Sequence, residues 1–217
     1  QALAALKPDL VISQALCDVC AVSGAEVSTV LSDLDPQPTL VNLEPYYYLT
    51  ISGKCAPENP IFEEAIGQLY ALAYKVKFSS KANELDFVVP KLEAFWWVEG
   101  ETPFEKSPRD QWCWKLMLRM PDFIGRTEVG DALRSLILDE KLPSHHQLQF
   151  EELHEGLSIQ ILHTGSYEEE WPSIQKLLQF AQREGFEVVG KHHEIYLNDP
   201  MRTEKSKLKT ILRYSIR

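Results

Sequence analysis

Apolar and polar positions change their rhythm at Tyr46, and from there the same order of elements is spelled twice along the chain. The first copy opens with a strand pattern, Tyr47-Tyr48-Leu49-Thr50-Ile51-Ser52-Gly53. A helix follows Pro60, because Phe62, Ile66, Leu69, Ala73 and Val76 recur at three- and four-residue steps and so share one face. Two strands come next, Leu92 to Val98 and Trp112 to Met120, joined by a polar loop holding Gly100, Pro103 and Pro108. The second copy has a strand from Leu157 to Gly165 and a helix near Pro172 with Trp171, Ile174, Leu177, Leu178 and Ala181 as its apolar stripe. Gly185 stops that helix, and strands at His193 to Leu197 and Leu208 to Tyr214 complete the copy. A linking helix, roughly Glu128 to Asp139, presents Val129, Leu133, Leu136 and Ile137 to the same core.

Two βαββ units related by a pseudo-twofold predict an α+β fold. Their strands form one antiparallel layer with helices on one side, and a ligand groove lies between the units. The copies overlay directly at their last strands, where Lys115-Leu116-Met117-Leu118-Arg119 answers Lys209-Thr210-Ile211-Leu212-Arg213.

The first 45 residues follow a different pattern. Leu10-Val11-Ile12 and Thr39-Leu40-Val41-Asn42-Leu43 are strand-like, and Ala25 to Leu34 is helical, with a Pro36-Gln37-Pro38 turn before the last strand. The phrases Lys7-Pro8-Asp9-Leu10-Val11-Ile12 and Cys17-Asp18-Val19-Cys20-Ala21 resemble an internal stretch of cobalamin- and siderophore-type periplasmic binding proteins. So short a piece cannot close the two-lobed ligand site of that family, and its transport function is not carried over. Two regions are therefore expected, a binding-protein-like fragment over 1–45 and the repeated domain over 46–217, with a join between Asn42 and Tyr46.

Composition narrows the function classes. The chain has 217 residues, is 44% hydrophobic and carries a formal net charge of −10. Its basic residues form no stripe, so direct binding to nucleic acid lacks an electrostatic footprint. No apolar run reaches the ~18–20 residues of a membrane-spanning helix, and a cytoplasmic protein with no membrane partner is expected. Four cysteines are too few for a disulfide framework. Cys55 and Cys113 are isolated from further ligands. The adjacent pairs His145-His146 and His192-His193 would send their side chains to opposite faces of a strand rather than to one ion. No metal and no cofactor is expected, and the oligomeric state is not legible.

The phrases Gly165-Ser166-Tyr167, His193-Glu194-Ile195-Tyr196-Leu197 and Lys207 to Arg213, supported by Asn59-Pro60-Ile61-Phe62, Ile66 to Tyr74 and Met120-Pro121-Asp122-Phe123, resemble the GyrI-like domain family in its stand-alone bacterial branch. The resemblance implies a duplicated βαββ fold that binds hydrophobic, cationic or aromatic small molecules. It also implies a likeness to hydrolases that open the strained cyclopropane of electrophilic xenobiotics. It places Glu194 at the centre of the ligand groove. Burial among aromatic rings disfavours the charged carboxylate, so its pKa is expected to rise unless a cation pairs with it. Such a group suits two tasks, neutralising a cation or acting as a general acid/base.

Tyr70 and Tyr74 lie one helical turn apart and point along neighbouring lines. Tyr74 is the candidate catalytic partner of Glu194, and Tyr70 a ligand contact. Trp96, Trp114 and Tyr196 are the remaining candidate ligand-binding residues, each with core packing as its alternative. Glu168-Glu169-Glu170 precedes a helix and is expected to complement its dipole. The C-terminal basics Lys205, Lys207, Lys209, Arg213 and Arg217 are expected to form a solvated face. Two function classes stay open, a binder of a hydrophobic small molecule and a hydrolase working through Glu194.

Overall fold

The computed structural model describes residues 36–100, 107–143 and 147–217. The expected elements at Leu10 to Ile12 and Ala25 to Leu34, the Cys17/Cys20 pair and His145-His146 lie outside the described residues. The compact unit spans Pro38–Arg217. Its elements in chain order are β1 (Thr39–Leu43), β2 (Tyr46–Lys54), α1 (Pro60–Ala82), β3 (Glu93–Trp97), β4 (Cys113–Arg119), α2 (Arg126–Leu138), β5 (Gln149–Leu153), β6 (Gly156–Thr164), α3 (Trp171–Glu184), β7 (His192–Tyr196) and β8 (Lys209–Ser215).

All eight strands join one antiparallel sheet in the order β1-β6-β8-β7-β3-β4-β2-β5. Read from either end, the order runs edge strand, first, last and middle strand of a βαββ unit, and the two units meet at the β3–β7 seam. This is the predicted α+β duplication, with one addition. Each unit has a leading edge strand, and that strand pairs with the other unit: β1 runs along β6 and β5 along β2. Thr39–Leu43, grouped by sequence with the amino-terminal piece, is thus an edge of this sheet. Its counterpart β5 escaped the sequence reading because Gln149-Phe150-Glu151-Glu152-Leu153 offers only two apolar positions. Its backbone is an extended edge held by one neighbour.

The helix boundaries follow from local chemistry. Asn59 caps α1, its side chain accepting from the Ile61 N–H, and Pro60 takes the first-turn position where no N–H is needed. At α2, Glu128 reaches back and accepts from the Gly125 N–H at 3.0 Å. Gly185 closes α3 in the left-handed region at φ 79°.

Alternation then decides what the helices cover. Leu49, Ile51, Ala94, Leu116 and Leu118 pack with Leu69, Leu72, Ala73 and Val76 of α1, and α2 adds Val129, Ala132 and Leu136. In the other unit Ile159, Ile161, Leu212 and Tyr214 pack with Ile174, Leu177 and Ala181 of α3. Leu212, Glu194, Ala94 and Leu116 are successive cross-strand neighbours, so both clusters sit on one face of the sheet. The β3–β7 seam is the floor between them.

Candidate functional site

Side chains on β7 alternate, so His192, Glu194 and Tyr196 rise on the helix-covered face while His193 and Ile195 go to the other. The two histidines part as the sequence implied. Across the seam Ala94 faces Glu194 and Trp96 faces His192. The small Ala94 side chain sits opposite the carboxylate, and Glu194 is buried among larger neighbours. Trp96 Nε1 donates to the Tyr196 hydroxyl at 3.1 Å, and that hydroxyl donates to Glu194 Oε2 at 2.6 Å. His192 Nε2 lies 3.0 Å from Glu194 Oε1, and its Nδ1 lies 2.8 Å from the Tyr214 hydroxyl. One tautomer serves both contacts: Nε2–H donates to the carboxylate and Nδ1 accepts from the tyrosine.

The site contains a second carboxyl that the sequence reading assigned elsewhere. Glu170, the residue just before α3, is only 5% exposed, and its Oε1 has no hydrogen-bond partner among the described residues. Of the acidic run, Glu169 does turn to local backbone, accepting from the N–H and hydroxyl of Ser166. Glu170 instead points inward, and ligand atoms of Glu170, His192 and Glu194 lie within 4.8 Å of one another. That spacing would admit a metal ion, although His192 already spends Nε2 on Glu194 and Nδ1 on Tyr214.

The two carboxyls differ in protonation. Burial opposes charge on Glu194, but hydrogen bonds and charge from His192 and the Tyr196 hydrogen bond outweigh it and hold its pKa below the usual carboxylate range. The rise expected for Glu194 falls on Glu170 instead. Burial and the adjacent Glu194 carboxylate push Glu170 up to about 10. At neutral pH the pair is one carboxylate beside one carboxylic acid. Burial and the same carboxylate also push the Tyr196 hydroxyl well above its ordinary value, so it remains a donor.

Trp96, Glu194 and Tyr196 are therefore brought together by hydrogen bonds. Tyr167, on a short turn before α3, adds an edge-on ring 5.7 Å from Tyr196, and burial, then Glu194, pushes its hydroxyl up to about 12. Tyr70 is half-buried against the α1 core. Tyr74 is 46% exposed, its ring lying between Tyr70 and Phe78 on the outer side of α1. Trp114 is buried in the first unit's core. Its Nε1 donates to Cys55 Sγ at 3.4 Å, and its ring meets Phe62 edge-on. Arg213, expected on a solvated face, is mostly buried and donates to Glu155 and Gln160.

Sequence reasoning missed Glu170, His192 and Tyr167. The signal for Glu170 was its place at the end of an acidic run just before Trp171-Pro172, where the chain must turn inward to start a helix. Nothing in the sequence separated it from Glu168 and Glu169.

Comparison with known proteins gives this arrangement a context. Residues 36–215 match the family model of the GyrI-like small molecule binding domain. Among solved structures, an uncharacterised conserved protein from Listeria innocua is similar at 32% identity and TM-score 0.77, covering 83% of this chain and 92% of its own. Two structures described as hydrolases from Listeria innocua are similar as well. One has 31% identity and TM-score 0.75 over 83% of this chain and 92% of its own. The other has 30% identity and TM-score 0.73 over 88% and 98%. No curated protein matches the chain.

Proposed function

Because the chain belongs to the GyrI-like small-molecule-binding family, we propose that it takes hydrophobic, cationic aromatic molecules onto the β3–β7 seam, with Glu194 as the counter-charge. The observation that carries this reading is a buried carboxyl in contact with His192 and accepting from Tyr196, with Trp96 and Tyr167 packed against that tyrosine. Burying a charge is costly unless it is paired, and a cation that stacks on these rings supplies the pair. Tyr70 contributes a further ring from α1.

A second reading is favoured by Glu170. A carboxylate and a carboxylic acid in one dry site are the parts of acid–base catalysis, one taking a proton from water and the other giving one to a leaving atom. Two similar proteins are described as hydrolases. In this reading an electrophilic, cyclopropane-type xenobiotic is opened by water. Glu194 accepts the water proton as the new C–O bond forms, the strained C–C bond breaks, and Glu170 protonates the atom that receives its electron pair. Tyr196 is the hydroxyl beside Glu194 in this scheme, whereas Tyr74 lies on the exposed side of α1.

The test uses N-methylquinolinium and its neutral counterpart methylnaphthalene, titrated into the wild type and Glu194→Gln while Trp fluorescence is followed. The cation binds the wild type at least about tenfold more tightly than it binds the variant, a change of roughly 1.4 kcal/mol, while methylnaphthalene is indifferent to the substitution. Equal binding of the cation by both proteins removes Glu194 from the site. Incubating the same two proteins with a cyclopropane-bearing alkylator separates the readings, since ring-opened product that depends on Glu194 makes the protein a hydrolase.

A further inference from the structure

The face of the sheet turned away from the helices holds a second arrangement, independent of Glu194. Beneath the turns that join β1 to β2 and β5 to β6 lies a cavity of about 100 Å³. Its apolar wall is made by Leu43, Phe95, Met117 and Ile195, and its polar groups are unusually complete on one side. His193 is fully buried between two glutamates, with Nδ1 2.9 Å from Glu155 and Nε2 3.0 Å from Glu93. Arg213 Nη1 donates to the other oxygen of Glu155 at 2.9 Å. Burial opposes charge on His193, but the hydrogen bond to Glu155 and the nearby Glu155 and Glu93 carboxyls outweigh it and raise its pKa. Each acidic group of the cluster thus has a basic partner, and each basic group an acidic one.

The other side of the cavity lacks this balance, and the internal duplication makes the gap readable. Arg213 faces Gln160 on β6, and Arg119 faces Tyr48 on β2 at the matching rung of the other unit. Arg213 is gripped by Glu155 and Gln160. Its counterpart Arg119 makes no ion pair among the described residues. Its guanidinium lies 3.2 Å over the Tyr46 ring, and both residues line the cavity. Glu44 is the nearby carboxylate at the rim, and it is exposed to solvent. A guanidinium presents a planar fork of donors that matches a carboxylate. In one unit the protein fills that fork with its own glutamate, and in the other the fork lies over Tyr46 at the cavity wall with no such partner among the described residues.

We propose that this hollow is a second ligand site, taking a small apolar carboxylic acid whose carboxylate meets Arg119 where Glu155 meets Arg213, and whose hydrocarbon part lies against Phe95, Met117 and Ile195. The volume of about 100 Å³ favours a short branched chain over a ring, since the engineered cavity that accommodates benzene is larger, at about 150 Å³.

Saturation-transfer NMR with isobutyrate, pivalate and benzoate, each paired with its neutral amide, tests this. At least one acid receives saturation from the wild-type protein while its amide receives little. Arg119→Gln weakens that acid at least about tenfold, the loss of a bidentate charged contact, and Arg119→Lys weakens it less. Arg109→Gln, at an exposed arginine outside the cavity, leaves binding unchanged. Circular dichroism of the variants establishes that they are folded. Absence of binding by all three acids overturns the proposal. So does equal binding of acid and amide, or a folded Arg119→Gln that binds as the wild type does. None of these outcomes bears on Glu194.

Discussion

Glu194 and Glu170 are the same side chain in the same buried site, and their neighbours make them different groups. Glu194 receives donors from both sides, so its charge is stabilised even though it is buried. Glu170 has an unpartnered oxygen and a carboxylate beside it, so it keeps its proton. Folding therefore raises the Glu170 pKa from 4.5 to about 10. A raised pKa contributes stability that is fully present below the unfolded value and is lost as pH climbs toward the folded one. The Glu170 contribution to wild-type stability should accordingly decline from about pH 4.5 to about pH 10. Glu170→Gln mimics the protonated acid and has no proton to lose. We expect it to be more stable than the wild type near pH 8, on the order of 1–3 kcal/mol, with a smaller gain near pH 5. Urea midpoints at the two pH values check this, and an equal or greater loss at the higher pH would place an ionised carboxylate at Glu170. That Glu194, Trp96 and Tyr196 share one face was legible in the sequence, through strand alternation and the overlay of the two copies. Glu170 was not, because inward and outward glutamates in one acidic run look alike until the turn before α3 is placed.

At the scale of elements, the helices and the paired strands follow from periodicity and capping, and their contacts set narrow tolerances. Gly53 near the end of β2 is the tightest. A Cβ there would come within 2.2 Å of the Trp114 ring, which is itself buried. Gly53→Ala should therefore cost about 1–3 kcal/mol through overpacking, read as a lower urea midpoint with an unchanged slope. A smaller Trp114 side chain in the same background should recover part of the loss. This contact also holds Trp114, a lesser ligand candidate than Trp96 in the sequence, deep in the core. Cross-strand packing against a glycine leaves a slot that only a flat ring fills.

At the scale of the molecule, the exchange of edge strands ties the two halves together. β1 leads into the first unit but hydrogen-bonds along β6 of the second, and β5 does the reverse. A chain beginning at Tyr46 lacks β1 and leaves the β6 edge unpaired, whereas one beginning at Pro36 keeps it. The shorter chain should be less stable by about 2–5 kcal/mol, from its lost ladder bonds, and should aggregate more readily through the bare edge. Thermal unfolding and light scattering of the two chains test this, and equal behaviour would make β1 dispensable. The His193 cluster acts at the same scale, since Glu93 on β3 and His193 on β7 join the units across the seam.

The sequence by itself determined the α+β class, the duplication, and the positions of the helices and of seven of the eight strands. These depend on periodicity, capping and turn residues, which act over a few neighbouring positions. Only the tertiary structure decided that the leading strands cross between units and that Glu170 and His192 join Glu194. The same is true of the partners the two indoles find, Tyr196 for Trp96 and Cys55 for Trp114, and of Arg119 lacking the acidic partner that Arg213 has. Each of these depends on the ladder register between strands distant in sequence, and register decides which side chains share a face and whether a charge finds a partner.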